Sequence, residues 1–274
     1  MTRDPLTHYY CAVLSYDGTA YHGWQRLRDH PTVQAAVELA LERCVGVPVP
    51  VRGAGRTDRG AHAEGQVAGF ALAEKLPVDA LLQGINRALP ADIRALAVHA
   101  MPTGFHARSS AVEKTYEYRI VNPDTDSAAR TAHPPTRAWH LELPLDLGRM
   151  RAAAQLLIGR HDFASFATKP RFKQRSTVRE VRQADVERRG GLIVMTFRAD
   201  SFLNHMVRNM VSALTRVGDR RYEPKRIATI VDAKERSASP GSAPACGLYM
   251  MKVRYEPPLR LAAQTEPPMG TEER

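Results

Sequence analysis

The sequence predicts an α/β protein of the α+β type, made of two similar halves with the ferredoxin-like order β-α-β-β-α-β. Three observations lead there. Over roughly the first hundred residues the apolar positions switch between strand and helix spacing in that order. A comparable order returns after about residue 106. And 274 residues with 43% hydrophobic content can bury two modest cores or one large one.

In the first half, "YYCAVLSYDG" reads as a strand, and Val33, Ala36, Val37, Ala40, Leu41 and Cys44 follow at helical spacing until Gly46 ends the run. "VPVPVRG" and "GQVAGFAL" predict two strands flanking a glycine-rich loop, Leu81, Leu82 and Ile85 mark a second helix, and "IRALAVHA" closes as a strand. The second half predicts strands at "KTYEYRIV" and "RAWHLEL", a helix over Met150 to Ile158, and strands near "VREVRQADV" and "GLIVMTF". A helix over Leu203 to Leu214 and a last strand at "GLYMMKVRY" complete it. "NPDTDSAARTAHPPT" and "KERSASPGSAPACG" read as loops. The expected organisation is an N-terminal unit over 1–105 carrying the glycine loop, a C-terminal unit over 106–257, and a flexible tail over 258–274 with few large apolar residues.

Composition narrows the function. No apolar run reaches the roughly 18 to 20 residues of a membrane span, and "MTRDPLTHYY" lacks the plan of a secretory signal, so a cytoplasmic protein is expected. Three separated cysteines, Cys11, Cys44 and Cys246, imply neither a disulfide framework nor a thiolate metal site and read as core thiols. A formal charge of +10 and a pI near 9.8 suit a polyanionic partner. Half of that surplus, +5, falls between Lys169 and Arg189, where eight basic residues face three acidic ones. Either a nucleic-acid surface or a merely solvated basic face produces such a run.

The chemistry concentrates in Val51 to Phe70, "VRGAGRTDRGAHAEGQVAGF". A dinucleotide fingerprint fails, because Asp58 occupies the place of the third glycine and would repel a pyrophosphate. A phosphate loop fails too, because Ala61 and His62 stand where Lys and Ser/Thr are required and a strand comes next. His62-Ala63-Glu64 matches half of the zinc deaminase signature, but the chain has no CxxC to supply thiolates. What remains is a tight connection that projects Arg56, Asp58 and Arg59 into one region. On this segment alone, Asp58 reads first as a turn residue hydrogen-bonding its own backbone.

From Gly55 onward, "GRTDRGAHAEGQV" resembles the signature of the TruA-type tRNA pseudouridine synthase family. The resemblance continues through "YDGTAYHGWQR", "NRALPADI", "FHARSSAVEKTYEYRI", "HDFASF", "FLNHMVRNMV" and "GLYM", in family order and at family spacings. Departures are slight: Ala61 stands where valine is usual, Leu27 follows "GWQR" where glutamine is common, and Gly69 replaces a larger residue. The resemblance implies an isomerase acting on uridines 38 to 40 of the tRNA anticodon stem-loop. It also implies a homodimer and two antiparallel sheets joined side by side, with the active cleft between the lobes.

That reaction breaks the N1–C1′ bond, turns the uracil and joins C5 to C1′. No electron, phosphate or energy donor enters, so no cofactor and no metal is implied. A carboxylate serves as nucleophile or base, and the resemblance gives the role to Asp58, through either covalent attack or a glycal route. It pairs Arg208 with Asp58 to keep the buried carboxyl ionised. Tyr116 stacks on the target base and is a candidate base itself, whereas Tyr118 is packing. Leu248 walls the uracil pocket, and Arg56 is the wedge beside the flipped nucleotide. Lys173 and Arg175, in the basic run, are expected on phosphates. The alternatives are a non-catalytic RNA-binding module, a synthase of shifted target and, least favoured, a zinc-dependent nucleobase deaminase.

Overall fold

A computed structural model describes residues 7–168 and 176–259. In chain order the first half contains β1 (His8–Tyr16), α1 (Val33–Val45), β2 (Arg52–Gly53), β3 (His62–Leu72), α2 (Val78–Ala88) and β4 (Ile93–Met101). This is the expected order, with one strand much shorter. Pro48 and Pro50 cannot donate to a ladder, which leaves only the two residues of β2 paired with β3. Thr32 caps α1 by accepting from Ala35 N, and Gly46, at φ 78°, ends it in the left-handed conformation that glycine adopts without strain.

The second half contains β5 (Glu113–Val121), α3 (Ser127–Ala132), β6 (Trp139–His140), α4 (Leu147–Gln155) and β7 (Gly159–Asp162). It continues with β8 (Val178–Arg189), β9 (Leu192–Ala199), α5 (Met206–Gly218), α6 (Arg226–Ala233) and β10 (Leu248–Arg254). Here the structure corrects several expectations. The strand at "RAWHLEL" shrinks to β6, and the helix placed at Met150 starts at Leu147, where Asp146 caps it through Arg149 N at 3.1 Å. α3 lies inside a segment read as loop, nucleated by Asp126 accepting from Ala129 N at 2.7 Å. The helix placed at Leu203 begins only at Met206, because His205 is left-handed at φ 60°. β7 and α6 are additions that the apolar spacing did not indicate.

Among the described residues, ten strands form one mostly antiparallel sheet in the order β4-β1-β3-β10-β5-β9-β8-β7, with β2 beside β3 and β6 beside β5. The halves meet where β10 runs parallel to β3 through Tyr249↔His62 and Met250↔Ala63. That junction sits at the start of β3, directly after the glycine loop, so the loop lies where strands from both halves converge. β4 is an edge strand, and Asn86 of "NRALPADI" covers part of it by bonding both the N–H and the C=O of Ala95, at 2.9 and 2.8 Å.

α1 packs on α2, and α4 on α5. α5 is buried along almost its whole length, from Met206 through Met210 and Leu214 to Gly218, with Arg208 half-buried. Fully buried Phe163, Phe166, Phe197 and Leu157 join the same core, and each such side chain stabilises by about 1.5–3 kcal/mol relative to exposure. α5 is therefore a fixed mount for whatever its N-terminus carries.

Candidate active site

The glycine loop between β2 and β3 is tied down from several elements. Ala54 N donates to Val67 O at 2.8 Å, and the buried Lys114 ammonium of β5 donates to Ala54 O at 2.7 Å. Burial, helped by Arg108 and Arg179, pushes the Lys114 pKa down to about 8. Gln66 of β3 brackets Gly55, donating to its carbonyl at 2.9 Å and accepting from its N–H at 3.4 Å. Trp24 N donates to Thr57 O at 3.1 Å, and the Tyr16 and Thr57 hydroxyls share a hydrogen bond of 2.8 Å. The backbone at Gly55 runs close to its neighbours: a Cβ there would lie 2.7 Å from Met250 Cε, the movable end of that side chain, and 3.2 Å from the Tyr116 hydroxyl.

These ties deliver Asp58 to the N-terminus of α5, the end of a helix that favours negative charge. Arg208 Nη1 donates to Asp58 Oδ2 at 2.6 Å, and His205 Nε2 stands 3.3 Å from Oδ1. Arg208 is itself fixed, its Nε donating to Ala243 O at 2.7 Å while Ala243 N donates to Arg208 O at 3.1 Å. Burial is the largest influence on Asp58 and raises its pKa, but hydrogen bonds and charge from His205 and Arg208 outweigh it. The carboxyl therefore lies below its usual range and is ionised at neutral pH.

Tyr116 is 7% exposed and packs edge-on against Phe202 at 5.1 Å between ring centroids. Burial, then the neighbouring Tyr16 and the Asp58 charge, drive its phenol far above the ordinary value, so it keeps its proton. Leu248 is buried at the start of β10 opposite Tyr118, which is wholly buried with its hydroxyl donating to Pro244 O at 2.6 Å. Arg56 is exposed and has no ion-pair partner among the described residues. Asp58, Arg208 and Tyr116 are thus brought together, Leu248 lies on the strand beside Tyr116, and Arg56 stands at the solvent side of the loop. Lys173 and Arg175 fall outside the described residues.

A sequence model described as tRNA pseudouridine synthase matches residues 12–108 and 153–256, both sides of this carboxylate included. The chain belongs to the tRNA pseudouridine synthase family. It is an enzyme that isomerises uridine to pseudouridine in tRNA. It is similar to tRNA pseudouridine synthase A of Methylacidiphilum infernorum, 40% identical over 248 residues, covering 90% of this chain and 96% of the relative. The protein of the same name from Syntrophotalea carbinolica is 41% identical over 245 residues, 89% and 95% of the two chains. That of Pseudomonas aeruginosa is 39% identical over 243 residues, 88% and 84%.

Elsewhere in the synthase, the half-signature of a deaminase turns out to be structural. His62 is 1% exposed and stacks on Tyr249 at 4.6 Å between centroids. Its Nδ1 accepts from Gly18 N at 3.1 Å and its Nε2 donates to Thr136 O at 2.9 Å, so the ring has no lone pair free for a metal, and Glu64 is paired with Arg119. Among the described residues no group of three or more His, Cys, Asp and Glu could hold a metal ion, and no helix is long and apolar enough to cross a membrane. Of the three thiols, Cys11 is buried and Cys44 and Cys246 only partly so. Sequence reasoning missed His205, although the helix expected over Leu203 to Leu214 would place it on one face with Arg208, three residues on. It also missed Lys114 and Gln66, which hold the loop.

Proposed function

We propose that this synthase acts on uridines 38 to 40 of the tRNA anticodon stem-loop and that Asp58 is the group that reacts with the nucleoside. The target rests on the relatives named tRNA pseudouridine synthase A; the role of Asp58 rests on a carboxylate at the head of α5, gripped by Arg208 and mounted on a loop tied to four strands and turns. A carboxylate kept charged while partly buried is a competent nucleophile at C1′ or base at C2′, and it needs neither metal nor cofactor for that step. Arg208 keeps it ionised. Tyr116, a neutral phenol, stacks on the uracil and offers an O–H rather than a phenolate.

The target base has to leave its stack before a carboxylate can reach its sugar, at a cost of a few kcal/mol. Arg56, exposed and unpaired among the described residues, takes the vacated place or holds a neighbouring phosphate. Leu248 walls the uracil, and Lys173 and Arg175 are read as phosphate contacts. We read the chain as two ferredoxin-like lobes, 1–105 and 106–257, followed by a tail over 258–274, with the cleft between the lobes. The repeated strand-helix order and the narrow β3–β10 junction support that division. A homodimer working in the cytoplasm completes the reading.

The decisive experiment is Asp58→Asn, which keeps the shape of the side chain and removes its charge. Pseudouridine formation on an unmodified transcript falls below detection while tRNA affinity stays near wild type. Substantial product from the pure variant would defeat the assignment, and lost binding with the fold intact would make Asp58 an RNA-contact residue instead.

A further inference from the structure

We propose that His205 is a positioning residue for Asp58, holding carboxylate oxygen Oδ1 while Arg208 holds Oδ2. This rests on Asp58 being the reacting group. His205 is the residue before α5, a place where Ser, Thr, Asp or Asn commonly caps the helix, yet its side chain makes no cap. It is also left-handed at φ 60°, a conformation uncommon for any residue but glycine, though less so for histidine than for most, and one held in place by its surroundings. Those surroundings are specific. The ring Nε2 lies 3.3 Å from Asp58 Oδ1, and Nδ1 shares a hydrogen bond of 2.8 Å with the Thr168 hydroxyl. Thr168 is in turn pinned by its N–H to Asn204 O at 3.1 Å.

The proton inventory follows from these partners. Oδ1 of an ionised carboxylate only accepts, so Nε2 carries the proton toward it. Nδ1 shares its hydrogen bond with the Thr168 hydroxyl, and that contact fixes the ring plane. Arg208 alone would let the carboxylate pivot about the Oδ2 bond. The second contact stops that rotation. The charged and titratable groups facing Asp58 are His205 and Arg208 at the head of α5 and Tyr116 on β5.

Two substitutions separate this role from a structural one. Asn adopts the left-handed region readily but is too short to reach Asp58, whereas the Gln amide nitrogen reaches about where Nε2 stands. We expect His205→Asn to lower the single-turnover rate on a tRNA transcript by about 10- to 100-fold with tRNA Kd unchanged. It should also move the acid limb of the rate profile to higher pH, because one of the influences that lowers the Asp58 pKa is gone. His205→Gln should recover most of the rate. A wild-type rate and acid limb in the Asn variant would overturn the inference. So would equal impairment of both variants with an unmoved limb, the signature of lost packing alone. If Asp58→Asn is inactive and His205→Asn is normal, only this inference fails; if Asp58→Asn is active, the reading beneath it fails.

Discussion

Arg208 Nη1 and Asp58 Oδ2 lie 2.6 Å apart although 150 residues separate them in the chain. The pair joins a loop of the first half to the most buried helix of the second. Because Arg208 is anchored through Ala243 and Asp58 through the backbone ties of its loop, the contact is between two fixed groups. The entropy of holding two long, free side chains, which weakens most surface pairs, is largely avoided.

Arg208→Ala tests the electrostatic half of this. Without the guanidinium, burial is left as the largest influence on Asp58 and its pKa rises. The rate at neutral pH should fall by about 100-fold or more, and raising the pH should recover part of it. The stability profile changes in the same sense. A carboxyl whose folded pKa lies below its unfolded value stabilises above the unfolded pKa, and that contribution is lost as pH falls through the folded one. Acid denaturation of the variant should therefore depend less steeply on pH in that window, as measured by urea midpoints across it.

Gly23→Ala tests the support beneath the loop. Gly23 is at φ 90°, and a Cβ there would sit 2.6 Å from the Thr57 carbonyl oxygen, one residue before Asp58. Both strain and displaced backbone follow, at a cost of about 1–3 kcal/mol. The thermal midpoint should drop by roughly 2–4 °C per kcal/mol, and the rate should drop further than the stability alone explains. An unchanged melting curve with full activity would mean the loop accommodates the methyl.

Tyr116→Phe addresses the phenol. Since burial keeps the hydroxyl protonated, the wild-type rate should show no rising limb between about pH 7 and 10 of the kind a phenolate base produces. The variant retains the stacking ring and should keep its tRNA affinity, losing rate through the missing O–H beside Gly55. A limb that rises in wild type and vanishes in the variant would make Tyr116 the base.

The parts of this design that are local in sequence are legible in the sequence alone. The order of elements in the first half, the break of α1 at Gly46 and the failure of the phosphate-loop patterns all follow from nearest neighbours and spacing. Asp58 and Arg208 became a pair only through the resemblance, since periodicity alone leaves one as a turn residue and the other as a surface arginine. What stayed hidden depends on distant partners. Lys114 reads as a solvated strand lysine until the Ala54 carbonyl meets it, and His205 reads as packing until its left-handed backbone aims the ring at Asp58. No glycine or asparagine flags that turn, so nothing in the composition announces it. The short β2 follows from Pro48 and Pro50, whereas the short β6 and the unforeseen α6 reflect tertiary contacts that outweigh weak local preference.

The basic run from Lys169 to Arg189 supplies the last prediction, because it separates binding from chemistry. Within its described part several arginines are already neutralised: Arg182 meets Glu113 and Glu180, Arg188 meets Asp124, and Arg189 meets Glu117 and Glu187. The net charge of the run therefore overstates what β8 offers to a phosphate, and the burden shifts to its beginning, where Lys173 and Arg175 stand in a stretch without acids. Replacing both by Ala should weaken tRNA binding and flatten the dependence of log Kd on log salt by up to about 0.9 per lost duplex contact. Single-turnover rate at saturating tRNA should stay near wild type, since neither side chain is asked to react. Equal affinity and slope in wild type and variant would place these two cations in solvent, and a rate lost at saturation would bring them into the cleft.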